Sequence, residues 1–261
     1  MPTLTAPAVD SACQVLDWDS AFFGFKIARL NGEHLTQARL AAALSWCRAS
    51  EVECLYFLAG SKDPATIRLA EAANFHFVDT RATYEKKLRP ESAVITGPDP
   101  AIRLAQPADV PALRAIARTG YTDSRFYNDP RFPRHLCDRL YETWIEKSCS
   151  GYADAVLVAH MQDVPVGYIT CHLQNEGQGQ IGLVGVSGLV QAKGIGTRLV
   201  EAATSWFATR DVRTISVVTQ GRNIAAQRLY QRAGFLLSSM DIWYHLWLDE
   251  PTTYESEIEP C

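Results

Sequence analysis

Two short runs hold the residues with the clearest chemical potential. The first, Gln191-Ala192-Lys193-Gly194-Ile195-Gly196, follows an apolar strand pattern at 180–187 and opens an amphipathic helical pattern from Thr197 to Ala208. Glycines let successive backbone N–H groups point one way, and a helix start adds the positive end of its dipole. That combination suits a pyrophosphate. The loop lacks the Gly-Lys-Ser/Thr ending of a Walker loop and one glycine of the dinucleotide fingerprint. The competing reading is a turn whose glycines serve close packing alone. In the second run, 221–235, Asn223 and Tyr230 lie seven residues apart, so two helical turns bring them to one face. Gly234 closes that helix and Phe235 opens the next strand. A phenol so placed can donate a proton, and a core aromatic at helical spacing has the same pattern.

These residues need elements to position them. In the first part of the chain, residues 13–30 surround a turn-like Asp17–Ser20 segment. A helical period follows over 37–50 and an apolar strand over 54–60. A second helix starts at Asp63 as N-cap with Pro64 at its first position and runs to about Ala73, before a strand at 76–88. Residues 89–100 hold three prolines and a glycine and read as a linker. Beyond it, the order is a strand, a helix capped by Asp109, an irregular loop at 124–133 and a helix at 135–150. Two strands joined tightly near Asp163 come next, then the strand, loop and helix of the first run. A strand at 213–220, the helix of the second run and a last strand at 240–248 complete the series. The expected organisation is 1–95 as an N-terminal α/β domain, 96–250 as the second domain, and 251–261 as an acidic disordered tail. Residues 69–88 align without gaps on 229–248, with Asn74 opposite Gly234 and Ala70 opposite Tyr230. The first half thus reads as a diverged copy of the second half's end, lacking its tyrosine and its glycine loop.

Composition narrows the function. A net charge of -4 argues against a polyanion partner such as nucleic acid. No run of eighteen apolar residues predicts a spanning helix, and the N-terminus lacks the basic and apolar parts of a signal peptide, so a cytoplasmic location is expected. Seven cysteines are scattered without metal-ligand spacing, which predicts free thiols and no metal site.

From the strand ending in Val186, through Gln191-x-x-Gly194-x-Gly196, to Asn223-x-x-Ala226-x-x-x-Tyr230-x-x-x-Gly234-Phe235, residues 101–248 resemble the GCN5-related N-acetyltransferase (GNAT) superfamily. Ser187 stands where the family usually has proline. The resemblance implies a mixed α/β sheet of the GNAT fold, preceded by a half-GNAT-like α/β domain, and acetyl-CoA as co-substrate. It implies that Val184, Gly185 and Val186 align the pantetheine arm by backbone hydrogen bonds. The pyrophosphate falls to Gln191, Ala192, Lys193, Gly194, Ile195, Gly196 and Thr197, with Asn223 and Ala226 at the cofactor and Tyr230 as proton donor to the leaving thiolate.

Residues 17–30, Ser124-Arg125-Phe126 and 142–148 further resemble a branch that N-acetylates a 4-amino-4,6-dideoxy sugar carried on dTDP. That likeness places Ser124, Arg125 and Phe126 at the substrate. It makes Asp79 a remote base acting through water, the rival reading being a strand carboxylate facing solvent, with Glu176 and His172, near the acetyl end of the strand pair, as alternatives without further support. Direct attack of the amine is favoured over a cysteine route, since no cysteine lies in a legible motif with histidine and carboxylate. The expected partners are acetyl-CoA and a dTDP-amino sugar, without nucleic acid or membrane, with a homodimer allowed. The alternatives are a peptide or other small amine as acceptor, or a non-catalytic acyl-CoA-binding module.

Overall fold

The computed structural model describes residues 12–88, 99–190 and 193–249. The expected linker lies almost entirely, and the expected tail wholly, outside them. In chain order the elements are β1 (Cys13–Val15), α1 (Asp17–Phe23), β2 (Ile27–Leu30), α2 (Gln37–Ala49), β3 (Cys54–Gly60), α3 (Pro64–Ala72) and β4 (His76–Lys87). They continue as β5 (Ile102–Leu104), α4 (Val110–Gly120), α5 (Arg125–Asn128), α6 (Arg134–Lys147), β6 (Ala155–Met161), β7 (Val164–Leu173) and β8 (Gln178–Val186). The last are α7 (Ile195–Ala208), β9 (Thr214–Gln220), α8 (Ile224–Arg232) and β10 (Leu236–Trp247).

The chain forms two compact units, one up to Thr80 and again from Asp241, the other Arg81–Met240. In the first, the strand order is β1-β2-β3-β10. β2 runs parallel to β3 from Ile27↔Cys54 to Leu30↔Phe57, and β10 runs antiparallel to β3 from Asp241↔Gly60 to Trp247↔Cys54. Leu40, Ala43, Leu44 and Cys47 of α2 and Ala70 of α3 bury their side chains with Phe57, Phe75 and Tyr244. The segment expected as a turn at Asp17–Ser20 is instead the start of helix α1. Asp17 and Asp19 in its first turn suit the positive helix end, and Gly24 at φ +83° provides its left-handed stop.

In the second unit the order is β4-β9-β8-β7-β6-β5, with β8 and β9 parallel and the other neighbours antiparallel. A division at residue 95 would separate Arg81–Lys87 from this unit, although that half of β4 pairs with β9 from Arg81↔Gln220 to Lys87↔Thr214. α7 lays Leu199, Val200, Ala203 and Phe207, all fully buried, onto the sheet. Two glycines admit it: a Cβ on Gly179 would stand 2.7 Å from the Phe207 ring, and one on Gly167 would stand 3.1 Å from Leu199. The loop expected at 124–133 contains one helical turn, α5, and the helix expected at 135–150 ends at Lys147 before a wider turn over Ser148–Tyr152. Asp109 does not cap α4 as expected. Its carboxylate turns back to the Gln106 N–H at 2.8 Å and to the Arg103 guanidinium at 2.7 and 3.0 Å. Burial alone would raise its pKa, but these donors, with His160, outweigh burial and hold it at about 2.

The internal echo is structural. β3, α3 and β4 begin at residues 54, 64 and 76, and β9, α8 and β10 begin at 214, 224 and 236, a constant offset of 160. Asn74 and Gly234 both adopt left-handed conformations, φ +61° and +83°. Asn and Gly are the residues that tolerate this region best.

Candidate active site

The parallel pairing of β8 and β9 runs from Gln178↔Thr214 to Ile181↔Val217 and stops, although β8 continues to Val186 and β9 to Gln220. The strands part there, so β9 pairs with none of residues 182–186, whose backbone groups on that edge still require partners. The opposite edge of β8 stays on β7, from Gly167↔Val186 to Ile169↔Val184 and again from Cys171↔Ile181. Between these, Thr170 faces both Gly182 and Leu183, a bulge that bends β8 where it leaves β9. The Leu183 N–H donates to the Thr170 hydroxyl oxygen at 2.8 Å. A Cβ on Gly185 would meet the Tyr168 ring at 2.7 Å, which keeps that position bare.

Past β8, Gly194 is the N-cap of α7 at φ +74°, and among the described residues no side chain caps the helix. The first-turn N–H groups of Ile195, Gly196 and Thr197 lie beyond the reach of intrahelical carbonyls. Among the described residues nothing lies within 4 Å of the Cβ position on Gly194, whereas a Cβ on Gly196 would stand 3.2 Å from Leu229 Cδ2 of α8. The two glycines thus do different work: Gly194 turns the chain into open space, and Gly196 lets two helices approach. Ile195 is buried in the core, Lys193 is exposed, and Gln191 and Ala192 lie outside the described residues. Arg198 fixes the first turn by a two-pronged pair with Asp99, 2.6 and 2.7 Å.

α8 supplies the phenol. Asn223 is its N-cap, and its Oδ1 accepts the Ala226 N–H at 3.0 Å, so this expected cofactor pair already has a local structural task. Gln227 donates to the Gln220 and Gly221 carbonyls at 3.2 and 2.7 Å and accepts from the Tyr84 hydroxyl at 3.1 Å, tying α8 to the end of β9 and to β4. Tyr230 is buried among Phe235 and Tyr84, with ring centroids 6.0 and 6.2 Å away. Burial pushes its phenol well above the usual value. The hydroxyls of Tyr121 and Tyr168 stand 3.0 Å apart, and both phenols are likewise raised by burial. Tyr230 lies near enough to Tyr121 to add to that shift. Tyr121 and Tyr168 went unnoticed in the sequence, one following a helix and the other reading as an ordinary strand core residue.

The three residues expected at the substrate divide. Phe126 is buried against Phe132 and Trp144, and the Arg125 guanidinium lies 4.3 Å from its ring centre. The Ser124 hydroxyl is buried without a hydrogen-bond partner among the described residues. Their turn is tied to the entrance of α8, where Arg222 Nη1 donates to Asn128 Oδ1 at 2.6 Å. Asp79 belongs to the first unit and does not face solvent. It is buried, and its Oδ1 accepts the Thr80 N–H at 2.8 Å. No cluster of metal-binding side chains and no helix long and apolar enough to span a membrane occurs among the described residues.

The residues present fit the group that the family implies. An unpaired strand edge at 182–186 suits an extended amide-bearing arm, and an uncapped helix start beside open space suits a pyrophosphate. Residues 113–235 match the Acetyltransferase (GNAT) family model. That stretch carries the glycine loop and Tyr230, and the fold around it is that of the GNAT acetyltransferases, which use acetyl-CoA.

Among individual proteins, the chain is similar to the dTDP-fucosamine acetyltransferase of Escherichia coli O6:H1, 27% identical over 250 residues, 91% of this chain and 99% of that one. It is also similar to the spore coat polysaccharide biosynthesis protein SpsD of Bacillus subtilis, 28% identical over 142 residues, 54% of this chain and 49% of that protein, of which it thus spans about half. The fold matches a GCN5-related N-acetyltransferase from Sphaerobacter thermophilus with a TM-score of 0.63 at 17% identity, covering 92% of this chain and 77% of that one.

Proposed function

We propose that the protein moves the acetyl group of acetyl-CoA to the amine of a dTDP-linked amino sugar by direct attack. The observation that carries the acceptor is the similarity to dTDP-fucosamine acetyltransferase along nearly the whole of both chains. Support for the chemistry comes from the parted strands, the uncapped start of α7 and the buried Tyr230.

Acetyl-CoA supplies the thioester carbonyl. The backbone of Val184, Gly185 and Val186 aligns its arm along the free edge of β8, and a backbone N–H there stabilises charge on the carbonyl oxygen. The N–H groups of Ile195, Gly196 and Thr197, with Lys193, hold the pyrophosphate. Tyr230 stays protonated at any working pH, because a free phenol titrates near pH 10 and burial raises this one further. A thiol titrates near 8.5, so complete proton transfer from Tyr230 is uphill. Its part is to donate a hydrogen bond to the sulfur as negative charge develops. The unit's cysteines speak against a covalent acyl-enzyme route. Burial raises Cys137 and Cys149 to about 11 and Cys171 to about 12, leaving thiols where the nucleophile must be a thiolate. Asp79 enters as a base by resemblance alone.

The test measures thiol release from acetyl-CoA with dTDP-4-amino-4,6-dideoxy sugars and with peptide amines. Acetylation of a dTDP-amino sugar at least tenfold faster than of any peptide is expected. Preference for peptides would overturn the acceptor, and no release with any amine would favour a binding module.

A further inference from the structure

One imidazole beside the bulge has no part in the mechanism so far. His172 on β7 is half-buried, and its Nε2 stands 3.3 Å from the Thr170 hydroxyl oxygen. A Cβ on Gly182 would lie 2.6 Å from that Nε2, so the ring leans directly over bare β8 backbone one residue past the last pairing with β9. The Thr170 oxygen accepts the Leu183 N–H, so its own hydrogen can rest on Nε2 and turn away when that nitrogen takes a proton. A hydrogen bond of that kind leaves Nε2 as the lone-pair nitrogen of the neutral ring, whose own hydrogen then sits on Nδ1.

We infer that His172 Nε2 is the base that takes the proton of the incoming ammonium, in place of Asp79. The inference rests on acetyl transfer to an amine in the second unit. Nε2 accepts one proton and leaves a neutral amine. The C–N bond forms as the C–S bond breaks, the nitrogen's second proton ends on the sulfur with the help of the Tyr230 hydroxyl, and the imidazolium returns its proton to water. Three surroundings act on the ring. Burial lowers its pKa, and the charge of Asp154 and the Tyr152 carbonyl oppose this in part. The Tyr152 ring stands edge-on, 5.6 Å away, and the strand neighbour Gln180 is uncharged. The net lowering keeps the ring unprotonated, and so able to accept, at neutral pH. On β8, which borders the parted strands, no carboxylate competes for the task.

The experiment compares His172→Gln, Asp79→Asn and wild type across pH, with acetyl-CoA and a dTDP-4-amino-4,6-dideoxy sugar. If the amine titrates near 8, as an α-amino group does, about a tenth is neutral at pH 7, so the base is worth roughly tenfold there. His172→Gln should lower kcat/KM for the acceptor about tenfold at pH 7 and less than twofold at pH 9, with acetyl-CoA affinity unchanged. Asp79→Asn should leave the pH profile in place. A uniform loss across pH, or a pH-dependent loss in Asp79→Asn alone, would overturn the inference. Failure of wild type on the sugar would sink the acceptor reading instead. In that event the ring is still tested by 15N spectra of histidine-labelled protein, with His172→Gln giving the assignment. Protonated Nδ1 and bare Nε2 at pH 7 are expected, and a protonated Nε2 would end the proposal.

Discussion

The two units hold the same strand–helix–strand sequence at a constant spacing, yet the cofactor site we propose falls in the second alone. In the first, β2 stays on β3 along its whole length and then ends at Leu30. In the second, β8 outruns its pairing with β9 and leaves an open edge. The helix after each strand differs likewise. α2 starts at Thr36, whose hydroxyl accepts the Arg39 N–H at 3.3 Å, and the Arg39 guanidinium is bound to the His34 and Asn31 carbonyls. α7 starts at Gly194 with no side-chain cap. Where Tyr230 stands in the second unit, the first has the fully buried Ala70. A repeated scaffold is therefore compatible with loss of a site: satisfying a helix start and closing a strand pair stabilises the fold and removes the place for an anion.

The most damaging change is expected at the phenol. Tyr230→Phe keeps the ring and should cut turnover by about 10²–10⁴ while acetyl-CoA affinity stays near wild type. Affinity falling together with turnover would make the tyrosine a binding residue. A smaller effect separates the two loops. Gly32 and Gly194 have nearly equal backbone strain, φ +75° and +74°. A β-branched residue is equally unwelcome at both. Gly194→Val should weaken acetyl-CoA binding at least tenfold by calorimetry, and Gly32→Val should leave it unchanged. Equal losses would mean that strain alone, not a phosphate site, explains the first result. The smallest effect concerns the cap. Thr36→Ala should cost about 1 kcal/mol of stability in denaturant unfolding without altering acetyl-CoA affinity. Tighter cofactor binding after that change would show the first unit to be a latent site.

Much of this contrast was legible in residue types. Prolines, Asp63, Asn223 and the apolar periods located α3, α8 and their strands, and Asn74 opposite Gly234 marked the repeat. Three matters were not legible. Asp17–Ser20 has turn-forming residues that helix α1 tolerates because a helix start welcomes aspartate. The exchange of final strands, β10 onto β3 and β4 onto β9, depends on tertiary pairing that no local pattern encodes. The divided roles of Gly194 and Gly196, and the phenols of Tyr121 and Tyr168, required knowing which side chains approach from other elements.

The most direct test of the contrast is amide hydrogen exchange of the intact chain with and without saturating acetyl-CoA. Protection gained at residues 182–186 and 194–198, with none at 27–39, is the predicted result. Protection at 31–39, or its absence along 182–186, would contradict the assignment of the cofactor to the parted strands of the second unit.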